Sequence, residues 1–434
     1  MKILILTASN PYIAAGIVAL DLYTGLSAFN GNEVRMIVKA HGKYQDKNII
    51  PFEGRVIHHK NRFFRMFKRI FIKLKIYRPA ISKADIDYSI QDYDQTITYY
   101  STKKILQKAD IKPDVIIVLF MQNFLSYKNL FELNKMANAP VYLYMMDMAS
   151  MTGGCHYAWN CKEYHNKCGC CPAFNSNEEN DQSRENWLFK KEYIDKTNIT
   201  LIAGTEYQFR QLTLSSLFKD KPCYKALISV NENVFKPQNK IGARNHFSLP
   251  ANKKIIFFGA VNVTSRRKGF NELIESLKIL KLVMTEPNDT HLVIAGHCNT
   301  YLEQNLPFDY SILGNLNHAQ LALAFQAADV FICTSIEDSG PTMINQAIMS
   351  GIPVVSFEMG VAFDLVKTGA TGYRAKLKDS HDLAHGIKYV LELKEQEYIK
   401  MSENCRRLGL ELCHLQTQVE NFINIFKVNN INEN

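Results

Sequence analysis

The stretch from Val330 to Gly351, VFICTSIEDSGPTMINQAIMSG, admits few folds. An apolar run from Val330 to Cys333 ends in a polar turn carrying Glu337, Asp338, Ser339, Gly340 and Pro341. Apolar residues then return at Met343, Ile344, Ala347, Ile348 and Met349, which is helical spacing. Gly351 suits the end of that helix, and Pro353, Val354 and Val355 begin another buried strand. A strand, a turn, a helix and a second apolar strand make the repeating unit of a parallel α/β sheet. Pro341 fits a first helical turn, where its missing N–H costs nothing, and Gly340 before it lets backbone approach a ligand closely. The helix start around Thr342 and Met343 offers N–H groups and a dipole to a phosphate. Two adjacent carboxylates in a tight loop at a strand's carboxyl end mark a ligand position rather than a plain crossover.

The same alternation runs through both halves of the chain. In the first half, Lys2 to Thr7, Arg35 to Val38, KPDVIIVLF, PVYLYMMD and LIAGT read as strands separated by helical patterns. The second half restarts with KKIIFFG and continues through HLVIAG and SILGNL to the stretch described above. At 434 residues the chain exceeds what one core usually supports, so two domains are expected. We place them at 1–236 and 254–415, joined by a polar linker at 237–253, with a short amphipathic helix over 416–434. No run approaches the roughly 18 apolar residues that span a membrane. MKILILTASN turns polar too soon for a signal peptide and reads as a first buried strand, which points to the cytoplasm.

Charge is unevenly placed. Between Arg55 and Lys83 lie ten Lys and Arg and no Asp or Glu, with Phe63, Phe64, Phe67, Ile70, Phe71 and Leu74 at helical spacing. A basic amphipathic helix of this kind suits an anionic membrane surface, and the alternative is a Phe stripe packed on the core with a solvated basic face. Nucleic acid is not expected, since no second basic element or binding motif accompanies it. Asp85/Asp87 and Asp92/Asp94 have Asp-x-Asp spacing but no preceding strand, so a chance occurrence is the better reading.

A second dense signal is MMDMASMTGGCHYAWNCKEYHNKCGCCP, an insertion at about 152–172. Cys155, Cys161, Cys168 and Cys171 are candidate ligands of one structural Zn2+, with Cys170, His156 and His165 as spares, because clustered thiols in a reducing compartment are more readily a metal site than disulfides. Reduced, unligated cysteines are the alternative. In the second half, Gly259 makes a turn after its strand, and Arg267 and Lys268 precede Gly269 at a helix start. The helix dipole disfavours cations there, so an anionic ligand explains them better.

TSIEDSGPTMINQAIMSGIPVVSF resembles the donor-sugar motif of retaining family 4 glycosyltransferases of GT-B fold, in which two acidic residues eight apart flank a Gly/Pro turn. Asp338 takes the first acidic position and Gln346, not an acid, the second. That resemblance implies two Rossmann-like domains facing across a cleft, a C-terminal helix returning to the first domain, and transfer from a nucleotide-diphosphate sugar without a catalytic metal. It implies that Arg267 and Lys268 hold the diphosphate, that Gly259, Glu337, Asp338, Ser339, Gly340, Pro341, Thr342, Met343 and Gln346 line the donor, and that Ala15 and Gly16 lie on the acceptor side. ALISVNENVFKP is similar to the family's last first-domain strand and its exit. The cysteine block is similar to that of bacterial exopolysaccharide, colanic-acid-type members, with Asp147 at a catalytic position and Met146 where those enzymes have His. The expected acceptor is a glycan or lipid-linked saccharide at the inner face of the cytoplasmic membrane. A non-catalytic nucleotide-sugar binder or scaffold is the competing expectation, motivated by Met146 and Gln346.

Overall fold

Runs of four to six Val, Ile, Leu and aromatic residues, too short for stable helices and apolar on both faces, become parallel strands. The computed structural model describes residues 1–13, 16–39, 42, 44–53, 86–298 and 304–431. Its contacts divide the chain into two units. One comprises Met1–Gly204, Gln208–Ala226 and Val419–Asn434, and the other Thr205–Tyr207 and Leu227–Gln418.

In the first unit β1 (Lys2–Thr7), α1 (Ile17–Ala28), β2 (Glu33–Val38) and β3 (Ile49–Pro51) are followed by α2 (Thr102–Ala109), β4 (Val115–Leu119), α3 (Tyr127–Ala137) and β5 (Val141–Met145). The chain continues through α4 (Gln182–Asp195), β6 (Ile199–Ala203), α5 (Glu206–Leu214) and β7 (Cys223–Lys225). The strands form one parallel sheet in the order β3-β2-β1-β4-β5-β6-β7. Ile5 stands opposite both Met36 and Ile117, at full burial on both sides. Strand order reverses beside β1, where the connections from β1 and β4 leave in opposite directions and open a crevice at the strands' carboxyl ends.

The second unit holds α6 (Lys240–His246), β8 (Lys254–Asn262), α7 (Phe270–Val283), β9 (Thr290–His297), β10 (Asp309–Gly314) and α8 (His318–Ala327). Then come β11 (Val330–Cys333), α9 (Thr342–Met349), β12 (Val354–Phe357), α10 (Ala362–Leu365), β13 (Gly372–Ala375), α11 (Ser380–Leu391) and α12 (Glu395–Leu412). Its parallel sheet runs β10-β9-β8-β11-β12-β13, with the reversal between β8 and β11. Phe257 and Phe331 face each other in register at that junction, their rings 5.7 Å apart, and Phe325 of α8 packs on both at 5.2 and 5.3 Å.

Helix α13 (Leu415–Ile431) ends the described chain. Its Phe422 and Phe426 are fully buried in the first unit, with rings 5.2 Å from Tyr144 and 4.7 Å from Tyr142. The C-terminal helix thus returns to the first domain.

Two local expectations are corrected. Residues 226–230, ALISV, are not a strand. After β7, Ala226 N still donates to Ala203 O of β6 (2.9 Å), but Leu227 O accepts from Gln418 Nε2 (2.9 Å), Ile228 O from Asn345 Nδ2 (3.1 Å), and Val230 N donates to Cys413 O (2.8 Å), so beyond Ala226 these backbone groups are satisfied without a sheet partner. Residues 237–253, where composition suggests a linker, carry α6 instead. Asn239 caps it, and the buried Arg244 bonds the Ala327 carbonyl and ion-pairs with Asp329 at 2.8 Å. Polar composition there reflects a charged anchor rather than a free segment. The cysteine-rich stretch is likewise no appendage, since Met151, Ala158, Tyr164 and Cys168 belong to the core of the first unit.

Candidate functional site

At the carboxyl end of β11 the chain turns through Thr334 to Pro341 before α9 begins at Thr342, with Pro341 as its N-terminal flanking residue. Beside it, a 3-10 turn over Arg266–Lys268 feeds α7 through Gly269. The two loops are laced together. Thr334 Oγ1 donates to Lys268 O (2.7 Å), while Ile336 N and Glu337 N donate to Arg267 O (2.9 and 3.3 Å). Gly269 has φ +64°, and a Cβ on it would stand 1.8 Å from the Thr334 carbonyl oxygen, so only glycine fits this junction.

That lacing places both cations on one carboxylate. Arg267 Nη1 lies 2.8 Å and Lys268 Nζ 2.6 Å from Asp338 Oδ2, and Gly340 N donates to Asp338 Oδ1 (3.2 Å). Burial by itself pushes the Asp338 carboxyl up, but Lys268, Arg267 and the Gly340 N–H together outweigh it and hold the group below the ordinary carboxylate value. Arg267 and Lys268, both partly exposed, carry one positive charge more than Asp338 balances, beside the first-turn N–H groups of α9 that no helix satisfies internally. Gly259 does not make the expected turn after its strand: it lies inside β8, where the register against β9 begins to shift. A Cβ there would come within 2.8 Å of Met343 Cε, so the glycine lets α9's first turn lie against the end of β8. Glu337 and Ser339 are buried in the same turn.

Asn345 and Gln346 part company on α9. Asn345 is buried and its amide bonds the Ile228 carbonyl, a structural contact, whereas Gln346 is half-buried with an Oε1 that has no hydrogen-bond partner. The position eight after Asp338 is therefore the one free to serve the site, and the position eight after Glu337 is not.

In the first unit Asp147 follows β5, with Oδ2 2.9 Å from His156 Nδ1 and Oδ1 accepting from Ala149 N at 2.8 Å. His156, a spare ligand by sequence, is engaged by this carboxylate, and its other ring nitrogen is buried without a partner. Cys155, Cys161, Cys168 and Cys171 line one cavity of about 20 Å3, together with Gly153, Gly154 and Tyr164. Burial raises all four thiols, Cys168 to about 12. Cys170 is exposed and His165 stacks edge-on to Tyr164, so neither belongs to the cavity lining. Among the described residues no set of three or more His, Cys, Asp or Glu side chains is gathered as it stands into a metal-holding arrangement.

Next to the cysteines lies Lys190, a cation that no motif in the sequence marks. It is buried on α4 and donates to the carbonyls of Ala149 (2.5 Å) and Thr152 (2.7 Å), and burial lowers its value to about 8. Thr334 and Ser335 are equally silent in the sequence. Nothing in their spacing marks them, because their roles come from meeting the Arg267 turn across the sheet.

Gly16 opens α1, and a Cβ on it would stand 1.8 Å from the Asn10 carbonyl oxygen, so the turn after β1 needs this glycine. Ala15 and the whole of Arg55 to Lys83 lie outside the described residues. No helix among the described residues is long and apolar enough to cross a membrane.

Residues 243–408 match the family of Glycosyl transferases group 1. An uncharacterized glycosyltransferase, MJ1607, of Methanocaldococcus jannaschii is 26% identical over 201 residues, which is 44% of this chain and 49% of that protein, so the match spans about half the relative's length. Over the whole chain, sucrose-phosphate synthase from Thermosynechococcus elongatus superposes with a TM-score of 0.63 at 14% identity, covering 98% of each chain. Anabaena Alr3699/HepE, solved with UDP and glucose, superposes with a TM-score of 0.61 at 16% identity, covering 99% of this chain and 100% of that one. Two parallel-sheet α/β units with these likenesses are the GT-B fold, and the second unit carries the group 1 glycosyltransferase match.

Proposed function

We propose that this protein moves a sugar from a nucleotide-diphosphate sugar to a hydroxyl of a glycan or lipid-linked glycan, with retention at the anomeric carbon and without a catalytic metal, in bacterial surface polysaccharide synthesis. One observation carries the reading: Asp338 held between Arg267 and Lys268 at the start of α9. Breaking the sugar–phosphate bond leaves charge on the diphosphate. Fixed cations and unsatisfied helix N–H groups stabilise that charge without reorganising at the moment of reaction. Lys268 and Arg267 supply the cations, α9 the N–H groups, and Asp338 with Glu337 the acceptors for sugar hydroxyls. Gly259 and Met343 shape the floor, and Ser339, Gly340, Pro341 and Thr342 the rim.

The group 1 match over 243–408 supports a donor site in this unit, and UDP and glucose in the Anabaena neighbour support a nucleotide sugar as its ligand. Acceptor binding falls to the first unit, where Gly16 and Asp147 stand beyond the carboxyl ends of β1 and β5. Retention, metal independence and the polysaccharide setting rest on the motif resemblance.

The deciding experiment screens UDP-, GDP- and dTDP-sugars for thermal stabilisation and then follows turnover of the best one. A ligand at about 100 times its Kd stabilises by roughly 2.7 kcal/mol. Lys268→Ala and Arg267→Ala should each lower transfer about 100-fold or more with the fold intact. Near-native activity in both would remove the site assignment. A non-catalytic nucleotide-sugar binder is the second reading, favoured by the unbonded amide oxygen of Gln346 at the second acidic position. Stabilisation by a donor with neither transfer nor hydrolysis would establish it. Peripheral membrane attachment rests on the composition of Arg55 to Lys83. Co-sedimentation with vesicles should rise with anionic lipid and fall with salt, and equal partitioning after Arg62, Arg65, Arg69 and Lys73 are changed to Gln would end that proposal.

A further inference from the structure

The sequence offers Cys155, Cys161, Cys168 and Cys171 as candidate ligands, with Cys170, His156 and His165 as spares. The fold separates them. Cys155, Cys161, Cys168 and Cys171 face one cavity of about 20 Å3, room for a single water-sized body, while Cys170, His156 and His165 are absent from its lining. These four lie within one stretch, Cys155 to Cys171, and the fold turns all four toward the same cavity. From this convergence we propose that the four cysteines bind one Zn2+ as a closed, structural tetrathiolate site.

Donors already point at the four sulfurs. Gly153 N donates to Cys168 Sγ at 3.1 Å. The N–H of Glu163 is directed at the Cys161 sulfur, two residues back, and those of Ala173 and Phe174 at Cys171. The Thr152 side chain reaches Cys155. Backbone donors to sulfur hold metal-bound thiolates in place as outer-shell partners do elsewhere. Backbone geometry at the ligands is unusual as well. Cys168 has φ +49° and Gly169 φ +116°, and a Cβ on Gly169 would stand 2.3 Å from the Glu179 carbonyl oxygen. A left-handed cysteine costs conformational energy that some other interaction must offset.

Charge bears on the same site. Binding Zn2+ releases four thiol protons to solvent and leaves four thiolates on one dication, a net charge of −2. Lys190 is 1% exposed, donates to the carbonyls of Ala149 and Thr152, and lies 5.7 Å over the Tyr127 ring. Arg184 Nε donates to the carbonyl of Cys168 itself at 2.6 Å. The carboxylates of Asp147 and Asp92 already act on this buried ammonium, and the tetrathiolate would add a further counter-charge beside it. Among the described residues no three of these side chains are gathered into a metal-holding arrangement as they stand, so binding requires the thiols to turn into the cavity they line. Zinc there would tie together the stretch from Cys155 to Cys171, whose last cysteine donates its N–H to Asp181, the cap of α4, at 2.8 Å.

Elemental analysis of the full-length chain, purified under reducing conditions without added metal, should find about one zinc per chain by the closed-site stoichiometry. Blocking thiols with an organomercurial should release it to a chromogenic chelator. Cys161→Ser and Cys168→Ser should lose the metal, and Cys170→Ser should keep it. Should the first two variants fail to fold, cobalt exchange into the wild-type chain decides, because four thiolates give intense sulfur-to-cobalt charge-transfer and tetrahedral d–d bands. Metal-free protein with all 10 cysteines titrating as free thiols would overturn the proposal. A disulfide among the four, zinc retained in both variants, or a cobalt spectrum without thiolate bands would do the same.

Discussion

Asp338 takes two cations on one oxygen, which makes it both a structural pin and a rival of any anionic ligand for the same groups. Its folded carboxyl titrates below the unfolded value of about 3.9. The stability it contributes is therefore fully present above that value and is lost as pH falls through the depressed folded one. Asp338→Asn should destabilise the second unit by on the order of 2 kcal/mol near neutral pH. That is less than the roughly 3–5 kcal/mol of a fully buried broken pair, because Lys268 and Arg267 keep some solvent contact. Denaturant unfolding from pH 7 to pH 2 should show the difference from wild type shrinking below about pH 4. The same variant should bind the bare nucleotide diphosphate at least as well as wild type by calorimetry, since the competing carboxylate is gone, while losing transfer. Weaker nucleotide binding together with retained transfer would contradict the roles given to all three residues.

Among the elements, the Arg266–Lys268 turn depends on one glycine more than on its basic residues. Gly269→Ala puts a Cβ into the Thr334 carbonyl at a left-handed φ. The loops must then separate, at a cost of about 1–3 kcal/mol for the strained backbone. Because separation moves Arg267 and Lys268 off Asp338, donor affinity should fall along with stability. Urea unfolding and a donor titration on the same preparation check this, and a loss of stability with unchanged donor affinity would show that the turn does not position the cations. Most elements were legible in the sequence because buried parallel strands need continuous apolar runs, and TGGCH and RRKG are bounded by glycines whose space is visibly constrained. The exceptions share a cause. ALISV has a strand's composition, yet side chains of Gln418 and Asn345 take its backbone groups, and local propensity carries no record of partners so distant in sequence.

For the molecule as a whole, the last helix contributes to the unit that begins the chain. Phe422 and Phe426 are buried against Tyr144 and Tyr142, and Asn429 Nδ2 bonds Thr200 Oγ1 at 3.1 Å. Phe422→Ala should cost about 3–5 kcal/mol, as emptied aromatic sites do. The loss should appear as early unfolding of the first unit, read by the protection of β5 and β6 amides in hydrogen exchange, and uniform protection would refute it. The sequence by itself determined two parallel α/β units, their order, and the residue types at the donor corner, because periodicity and glycine placement are local properties of the chain. Tertiary structure alone decided that Asp338 pairs with both Arg267 and Lys268, that Gln346 rather than Asn345 is left free of structural bonds, and that His156 serves Asp147 while four of the five neighbouring cysteines share a cavity. Each of these is a meeting of side chains brought together by sheet order, and sheet order sets distances that sequence spacing does not encode.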